Sequence, residues 1–327
     1  MNYEEAKVQF ERLFTAQMVE EEARQFLIEL YERGESVDEL TAAVEVMKAH
    51  AVKLEVNSSI KDNLIDVVGT GGDKSGSINV SSTVCLLLSS LGCYVAKHGN
   101  RSITSKSGSA DMLEKLGIRL DLPVEKQRRL LEETGFTFLF AQNHHPAMKH
   151  IMPVRKSIPH RTIFNFLGPL TNPADVKKQF VGVYDKSFVE KMAAVLQKSG
   201  STAAMVVSSG DGLDELSLGA PSFVAELKNS TISTYELDPQ SLGFEKSGLE
   251  AIKGGEGEEN AHITRSILEG KLNGAKRDIV ILNTAASLVV EGMARDYQDG
   301  IQMAGEAIDS GKAKTALEKI IKVSQSL

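Results

Sequence analysis

A chain of 327 residues, 42% apolar and 25% charged, is long enough for a full hydrophobic core and a smaller second unit. Its 44 acidic and 37 basic residues leave a net charge of −7, which argues against general nucleic-acid binding through a basic face. The two cysteines, Cys85 and Cys93, sit in apolar runs like free thiols of a reducing cytoplasm, the acidic first residues do not make a signal peptide, and no apolar run reaches the ~18 residues of a membrane span.

Residues 1–55 read as helices only. Phe10, Leu13 and Phe14, then Phe26, Leu27 and Leu30, recur at helical spacing. Ser36 and Glu39 match a capping box that opens a helix with Leu40, Ala43, Val44 and Met47 on one face. Such a short unit must bury its stripes against the rest of the chain or against a second subunit. Residues 56–63 are polar and read as a linker. From Leu64 onward strands and helices alternate, which predicts a largely parallel sheet. The division is therefore a helical domain over 1–63 and an α/β domain over 64–327, with a segment near 150–175 as a candidate to pack with the helical part.

The α/β part is organised around residues 64–111. An apolar strand, Leu64 to Val68, ends in Gly69-Thr70-Gly71-Gly72-Asp73, where three glycines let backbone N–H groups approach a phosphate closely. A helix starts near Asn79, with Asn79, Ser81 and Ser82 as capping residues at an anion-attracting N-terminus, and stops at Gly92. A second strand, Cys93 to Ala96, delivers the loop Lys97-His98-Gly99-Asn100-Arg101 and a Ser/Lys-rich segment to Ser109-Ala110-Asp111. Two adjacent strand ends thus present N–H groups on one loop and cations on the other, as a phosphorylated substrate requires.

Further along, Phe136–Phe140 is a strand leading into His144-His145-Pro146 and a helix that holds Arg155. Gly168-Pro169-Leu170-Thr171-Asn172-Pro173 reads as a turn. Phe180–Tyr184 and Ala203–Val207 are strands around a helix over Ser187–Lys198, Phe223–Glu236 alternates like an antiparallel pair, and the chain is mostly helical from Ala261. Asp214 and Glu215, after a strand and beside glycines, could hold Mg²⁺ shared with substrate phosphates; in isolation the same pair is a solvated acidic turn. The two histidines lack the further ligands of a zinc site, so a polar contact or a structural role fits them better. Arg155 is either a surface arginine or a reader of a carboxylate.

The set GTGGD (69–73), INVSS (78–82), KHGNR (97–101), SKSGSAD (105–111), HHPAM (144–148), RTIFNFLGPLTNPA (161–174) and DGLDE (211–215) resembles the anthranilate phosphoribosyltransferase family over nearly the whole chain. Pyrimidine nucleoside phosphorylases share the architecture but carry another glycine-rich signature. The resemblance implies a nucleoside phosphorylase-like phosphoribosyltransferase fold, a homodimer joined through the helical domain, and transfer of a phosphoribosyl group from phosphoribosyl pyrophosphate to anthranilate. It places Gly69, Gly72 and Asp73 on the pyrophosphate, with Ser77, Asn79, Val80, Ser81 and Ser82 nearby. Lys97, Gly99, Arg101, Ser102, Ser105 and Ser109 would hold the phosphoribosyl part. Ser81, Asp214 and Glu215 would bind two Mg²⁺ ions; Gly69, Asn100 and Arg155 would contact anthranilate, with His98 and His145 beside it. No covalent nucleophile is implied, only positioning by Asn100, His98 and His145. Three departures bear on loop shape: Lys74 where glycine is common, Ser82 where threonine is common, and Pro159-His160 before Arg161 in place of Gly-Ile. Two other readings stay open: a transferase or phosphorylase of this fold with another acceptor, and a non-catalytic nucleic-acid-binding relative, which the acidic charge and intact Asp214-Glu215 disfavour.

Overall fold

A computed structural model describes residues 1–102 and 106–327 of the chain. Among these residues seven strands form one sheet: β1 Leu64–Gly69, β2 Tyr94–Gly99, β3 Phe136–Phe140, β4 Lys178–Gly182, β5 Ala203–Ser209, β6 Ser222–Lys228 and β7 Thr231–Leu237. They lie in the order β3-β2-β1-β4-β5-β6-β7. The first five are parallel, as the strand–helix alternation predicts, and β6 and β7 add an antiparallel edge around Asn229 and Ser230.

The sheet is covered on both faces, so its central strands are apolar on both sides. Along β5, Met205 and Val207 point into one core with the helices Val80–Leu91 and Ala275–Glu291. Ala204 and Val206 point into the other. That second core also contains Phe10, Leu27, Leu30 and Leu40 from the N-terminal helices Tyr3–Phe14, Glu20–Arg33 and Val37–Ala49, joined by Ile151, Val154 and Phe166. The apolar stripes of residues 1–55 therefore close onto the 150–170 segment and one sheet face. The capping box at Ser36 forms as expected, with Glu39 bonded back to the Ser36 amide and to Arg33.

Three local expectations are corrected. Lys97, His98 and Gly99 are not loop residues. They continue β2, paired with Phe138, Leu139 and Phe140, because a strand between two neighbours satisfies its backbone only by pairing along its length. Gly168-Pro169-Leu170 is the end of a helix, Phe164–Leu170, held by the burial of Phe166, Leu167 and Leu170 and closed where the Thr171 hydroxyl donates to the Leu167 carbonyl. The linker contains one helical turn, Ser58–Lys61, which buries Ile60. No described helix is long and apolar enough to cross a membrane.

Candidate active site

The chain leaves β1 for β2 on one side and enters β4 and β5 on the other. The carboxyl ends of β1 and β4 thus flank the point where strand order reverses, which is where open α/β sheets bind ligands. Gly69 of β1 and Gly182 of β4 are register partners there. A Cβ on Gly69 would stand 2.3 Å from Asp214 Oδ2, and one on Gly182 only 1.6 Å from the Asp214 carbonyl. Two bare strand ends thus let the loop after β5 fold across them. It is locked by the Gly71 amide, which donates to Asp214 Oδ2 at 2.7 Å. Gly71 and Gly72 take φ of 69° and 77°, and Lys74 follows at 60°. Lys74 therefore carries about 1 kcal/mol of left-handed strain where a glycine would carry none, the physical content of that departure.

The loop's carboxylates are crowded and dry. Burial, then the neighbouring Asp73 charge, push the Asp214 carboxyl up to about 7. Burial and Asp214 hold Glu215 well above the carboxylate range, opposed by Lys97. Asp73 Oδ2 is buried with no donor among the described residues, while its other oxygen accepts from the Ser75 amide at 3.3 Å. Lys97 is itself buried: its ammonium donates to the Val67 carbonyl at 2.8 Å and the Ser81 hydroxyl at 3.4 Å. Negative charge is in excess at these strand ends, and a divalent cation fits it. Among the described residues no three His, Cys, Asp or Glu side chains enclose a metal on their own. The fit is therefore to an ion that completes its shell with water and phosphate oxygens.

A pH dependence follows. An acid raised in the folded state contributes stability in full below its unfolded value and loses it as pH climbs from there through the folded value. Without divalent cation, the melting temperature of the wild-type chain relative to Asp214→Asn is expected to fall between about pH 4 and about pH 7, and added cation to restore it. A pH-independent difference in melting temperature would contradict the assignment.

The helix Val80–Leu91 aims its N-terminus at this spot. Asn79 occupies the cap position but its side chain does not cap. It donates to the Ser107 carbonyl and accepts from Asn260, while the Val80 amide bonds the Ile78 carbonyl at 2.8 Å and the Ser81 amide bonds Glu215. Val80 and Ser82 are buried on the inner side, and the Ser77 amide bonds Ser75 Oγ at 3.1 Å.

The second wall comes from β2, β3 and the helix Met148–Ser157. Asp66, buried in β1, accepts from the His98 amide at 3.2 Å and from Asn172 at 2.8 Å, which draws the 168–172 segment under β2. His98 Nδ1 then meets the Gly168 carbonyl at 2.9 Å, and its Nε2 is buried without a partner among the described residues. The His145 ring lies 5.0 Å from that of His98. Burial, reinforced by their neighbouring histidines, lowers His98 to about 3 and His145 to about 4, so both are neutral at physiological pH. The two adjacent histidines separate here: His144 is structural, bonded to the Val52 carbonyl and Gln127.

Arg155 is half-buried over the Phe164 ring and pairs with no carboxylate among the described residues; burial lowers its pKa. Its guanidinium fork therefore carries a half-buried charge that no described side chain neutralises. Arg101 differs. Its guanidinium is engaged by Asp111 and Glu114, at 3.1 and 2.7 Å, which leaves its side chain little freedom to hold substrate. The Ser102 amide donates to Asp111, Gly99 packs on Phe138, Asn100 lies at the end of β2, and Ser109 opens the helix Ser109–Lys115. Ser105 lies outside the described residues.

Two site residues receive no role from the sequence pattern. Gly182 is needed only because a loop distant in sequence lies on it. Arg161 donates to the Gly72 carbonyl at 2.6 Å and so touches the glycine loop directly; only its place in a quoted motif hints at this.

Residues 61–314 match the model of a glycosyl transferase family, a/b domain. An anthranilate phosphoribosyltransferase from Rhodopseudomonas palustris (strain HaA2) is 44% identical over 98% of this chain and 94% of its own length. The chain belongs to the anthranilate phosphoribosyltransferase family. Among solved structures, the anthranilate phosphoribosyltransferase from Thermus thermophilus superposes with a TM-score of 0.93 at 38% identity, over 99% of this chain and 96% of the other. The Saccharomyces cerevisiae member in complex with PRPP and Mg gives 0.84 at 28% identity, over 94% and 86%. Mapped onto this family member, the match starts just before β1 and spans every loop described above.

Proposed function

We infer that this chain transfers the phosphoribosyl group of phosphoribosyl pyrophosphate (PRPP) to the amine of anthranilate, a step of tryptophan biosynthesis that yields N-(5-phosphoribosyl)anthranilate and pyrophosphate. The observation that carries this reading is one crevice with two chemically distinct walls. One is an anion loop crossed by Asp214 and Glu215. The other is an unpaired half-buried arginine with two neutral histidines.

The anion loop would hold the pyrophosphate through the glycine turn, where Gly72 takes a left-handed φ that brings backbone close, and through the positive end of the Val80–Leu91 helix. Ser81, Asp214 and Glu215 are the side chains that would hold Mg²⁺, two ions per site in this reading. When bound, Mg²⁺ neutralises the charge that builds on the departing pyrophosphate. Lys97 holds the Ser81 hydroxyl at 3.4 Å, which places its ammonium beside the residues read as binding the phosphoribosyl group. Neutral His98 and His145 place no positive charge beside the ribose carbon as it becomes cationic. Asn100 orients the amine, and positioning of a weak aromatic nucleophile supplies most of the acceptor-side catalysis.

Arg155 reads the acceptor carboxylate through two parallel hydrogen bonds. Arg155→Ala is expected to raise the anthranilate KM about tenfold or more, the ~1.4 kcal/mol of a lost charged bond, with little change in the PRPP KM. Lysine should rescue only in part, since it lacks the fork. Steady-state kinetics with each substrate varied decides; equal rises in both KM values would assign the carboxylate to another residue. A panel of ring isomers and other aromatic amines separates this acceptor from its competitors.

The unit 1–63 is read as the helical domain and as the dimer contact. Val8 and Val19, 58% and 71% exposed on its surface, support that reading. Sedimentation at micromolar concentration is expected to show a dimer, and a monomer would overturn it. The two thiols, buried and pushed up to about 12 by burial, suit a reducing cytoplasm.

A further inference from the structure

Arg161 stands on the loop between the helices Met148–Ser157 and Phe164–Leu170. Its guanidinium carbon lies 3.4 Å from the centre of the Tyr184 ring, a close stacked contact. Nη2 donates to the Gly72 carbonyl at 2.6 Å. Nη1 is buried and makes no hydrogen bond among the described residues. No carboxylate pairs with it among those residues either. A guanidinium fork with one prong on a neutral carbonyl and one buried prong unfilled leaves a charged donor stripped of water and unmatched.

The surroundings hold it there. The Tyr184 amide donates to Thr70 Oγ1 at 3.4 Å, so the ring beneath the guanidinium is itself tied to the glycine loop. On the other side His160 stacks on Tyr31 of the helix Glu20–Arg33, with ring centres 3.9 Å apart, and its Nδ1 meets the Arg161 carbonyl at 2.8 Å. Arg161 is thus anchored from the helical part and aimed at the anion loop beside Asp73.

We propose that Arg161 is a further substrate-binding residue, whose unfilled N–H donates to an anionic oxygen of the pyrophosphate in PRPP while its other prong holds Gly72 in place. This rests on the donor assigned above and names a contact beyond it. The anionic oxygen belongs to the phosphate side because Arg161 grips the loop that surrounds Asp73, whereas Arg155 serves the carboxylate of the acceptor.

The test uses the full-length enzyme with Mg²⁺ and two variants, Arg161→Gln and Arg161→Lys, each checked for a wild-type melting temperature. Arg161→Lys keeps a cation over Tyr184 should Arg161→Gln fold poorly. The PRPP KM is expected to rise about tenfold or more in Arg161→Gln and less in Arg161→Lys, with the anthranilate KM within about twofold. Binding of inorganic pyrophosphate, followed by calorimetry, should weaken in parallel. An unchanged PRPP KM with unchanged pyrophosphate affinity would overturn the proposal, and so would a rise confined to anthranilate, which would put the acceptor carboxylate on Arg161. Wild-type turnover is measured separately. Loss of pyrophosphate binding in Arg161→Gln would uphold the contact even if the acceptor proved to be another amine.

Discussion

Asp214→Asn and Glu215→Gln are each expected to lower Mg²⁺-dependent turnover at least about a hundredfold without unfolding the chain. Several kcal/mol of leaving-group stabilisation pass through a bound cation, and every ~1.4 kcal/mol is a factor of ten in rate. Both carboxylates are buried and pushed up, Asp214 by burial and then Asp73, Glu215 by burial and then Asp214, so neither gains stability as a charge there without a cation. Asp214→Asn should therefore raise the melting temperature of the cation-free chain at pH 8 even as it removes activity. Each amide keeps an oxygen acceptor, so the Gly71 amide can still bond at position 214. Wild-type Mg²⁺ dependence of turnover in both variants would remove these two residues from the cation site.

Gly182→Val is expected to abolish turnover outright. Its Cβ would meet the Asp214 carbonyl at 1.6 Å and the Glu215 amide at 3.3 Å. Contact with backbone cannot be relieved by a rotamer change, and β4 cannot retreat because it is paired on both sides, with β1 and with β5. The loop over residues 213–215 must lift, which breaks the Gly71–Asp214 bond and opens the cation site. A comparison variant is Gly248→Ala, where φ is −75° and a Cβ meets nothing within 4 Å; it should be indistinguishable from wild type. Gly72→Val belongs between these extremes. Its φ of 77° strains any branched residue and its Cβ would stand 2.9 Å from Arg161 Nη2, so calorimetry is expected to show weakened PRPP binding. A Gly182→Val enzyme with normal kcat would mean that the loop tolerates displacement.

The parts of the site that were legible in the chain are those whose chemistry is local. Gly71 and Gly72 advertise a left-handed turn at a strand end, and Asp214-Glu215 stand beside glycines in another. Strand–helix alternation brings both ends to the same edge of a parallel sheet, so the crevice follows from the pattern. What escaped the pattern depends on partners distant in sequence. Lys97 reads as an outward cation, but β2 continues through it and turns its ammonium beneath β1 to Val67. Arg101 reads as a free cation of the loop, but Asp111 and Glu114, ten and thirteen residues on, pair with it. His144 and His145 are adjacent yet diverge, one into a structural network and one toward His98. Gly182 looks like an ordinary strand-end glycine, and its necessity appears only when Asp214 is placed on it.

The most direct measurement is the decay of anthranilate fluorescence on mixing the purified chain with anthranilate, PRPP and Mg²⁺. The account predicts a decay that requires all three, stops with chelator, and releases one pyrophosphate for each anthranilate consumed. Persistent fluorescence under those conditions, with PRPP intact and another amine accepting its phosphoribosyl group, would contradict it.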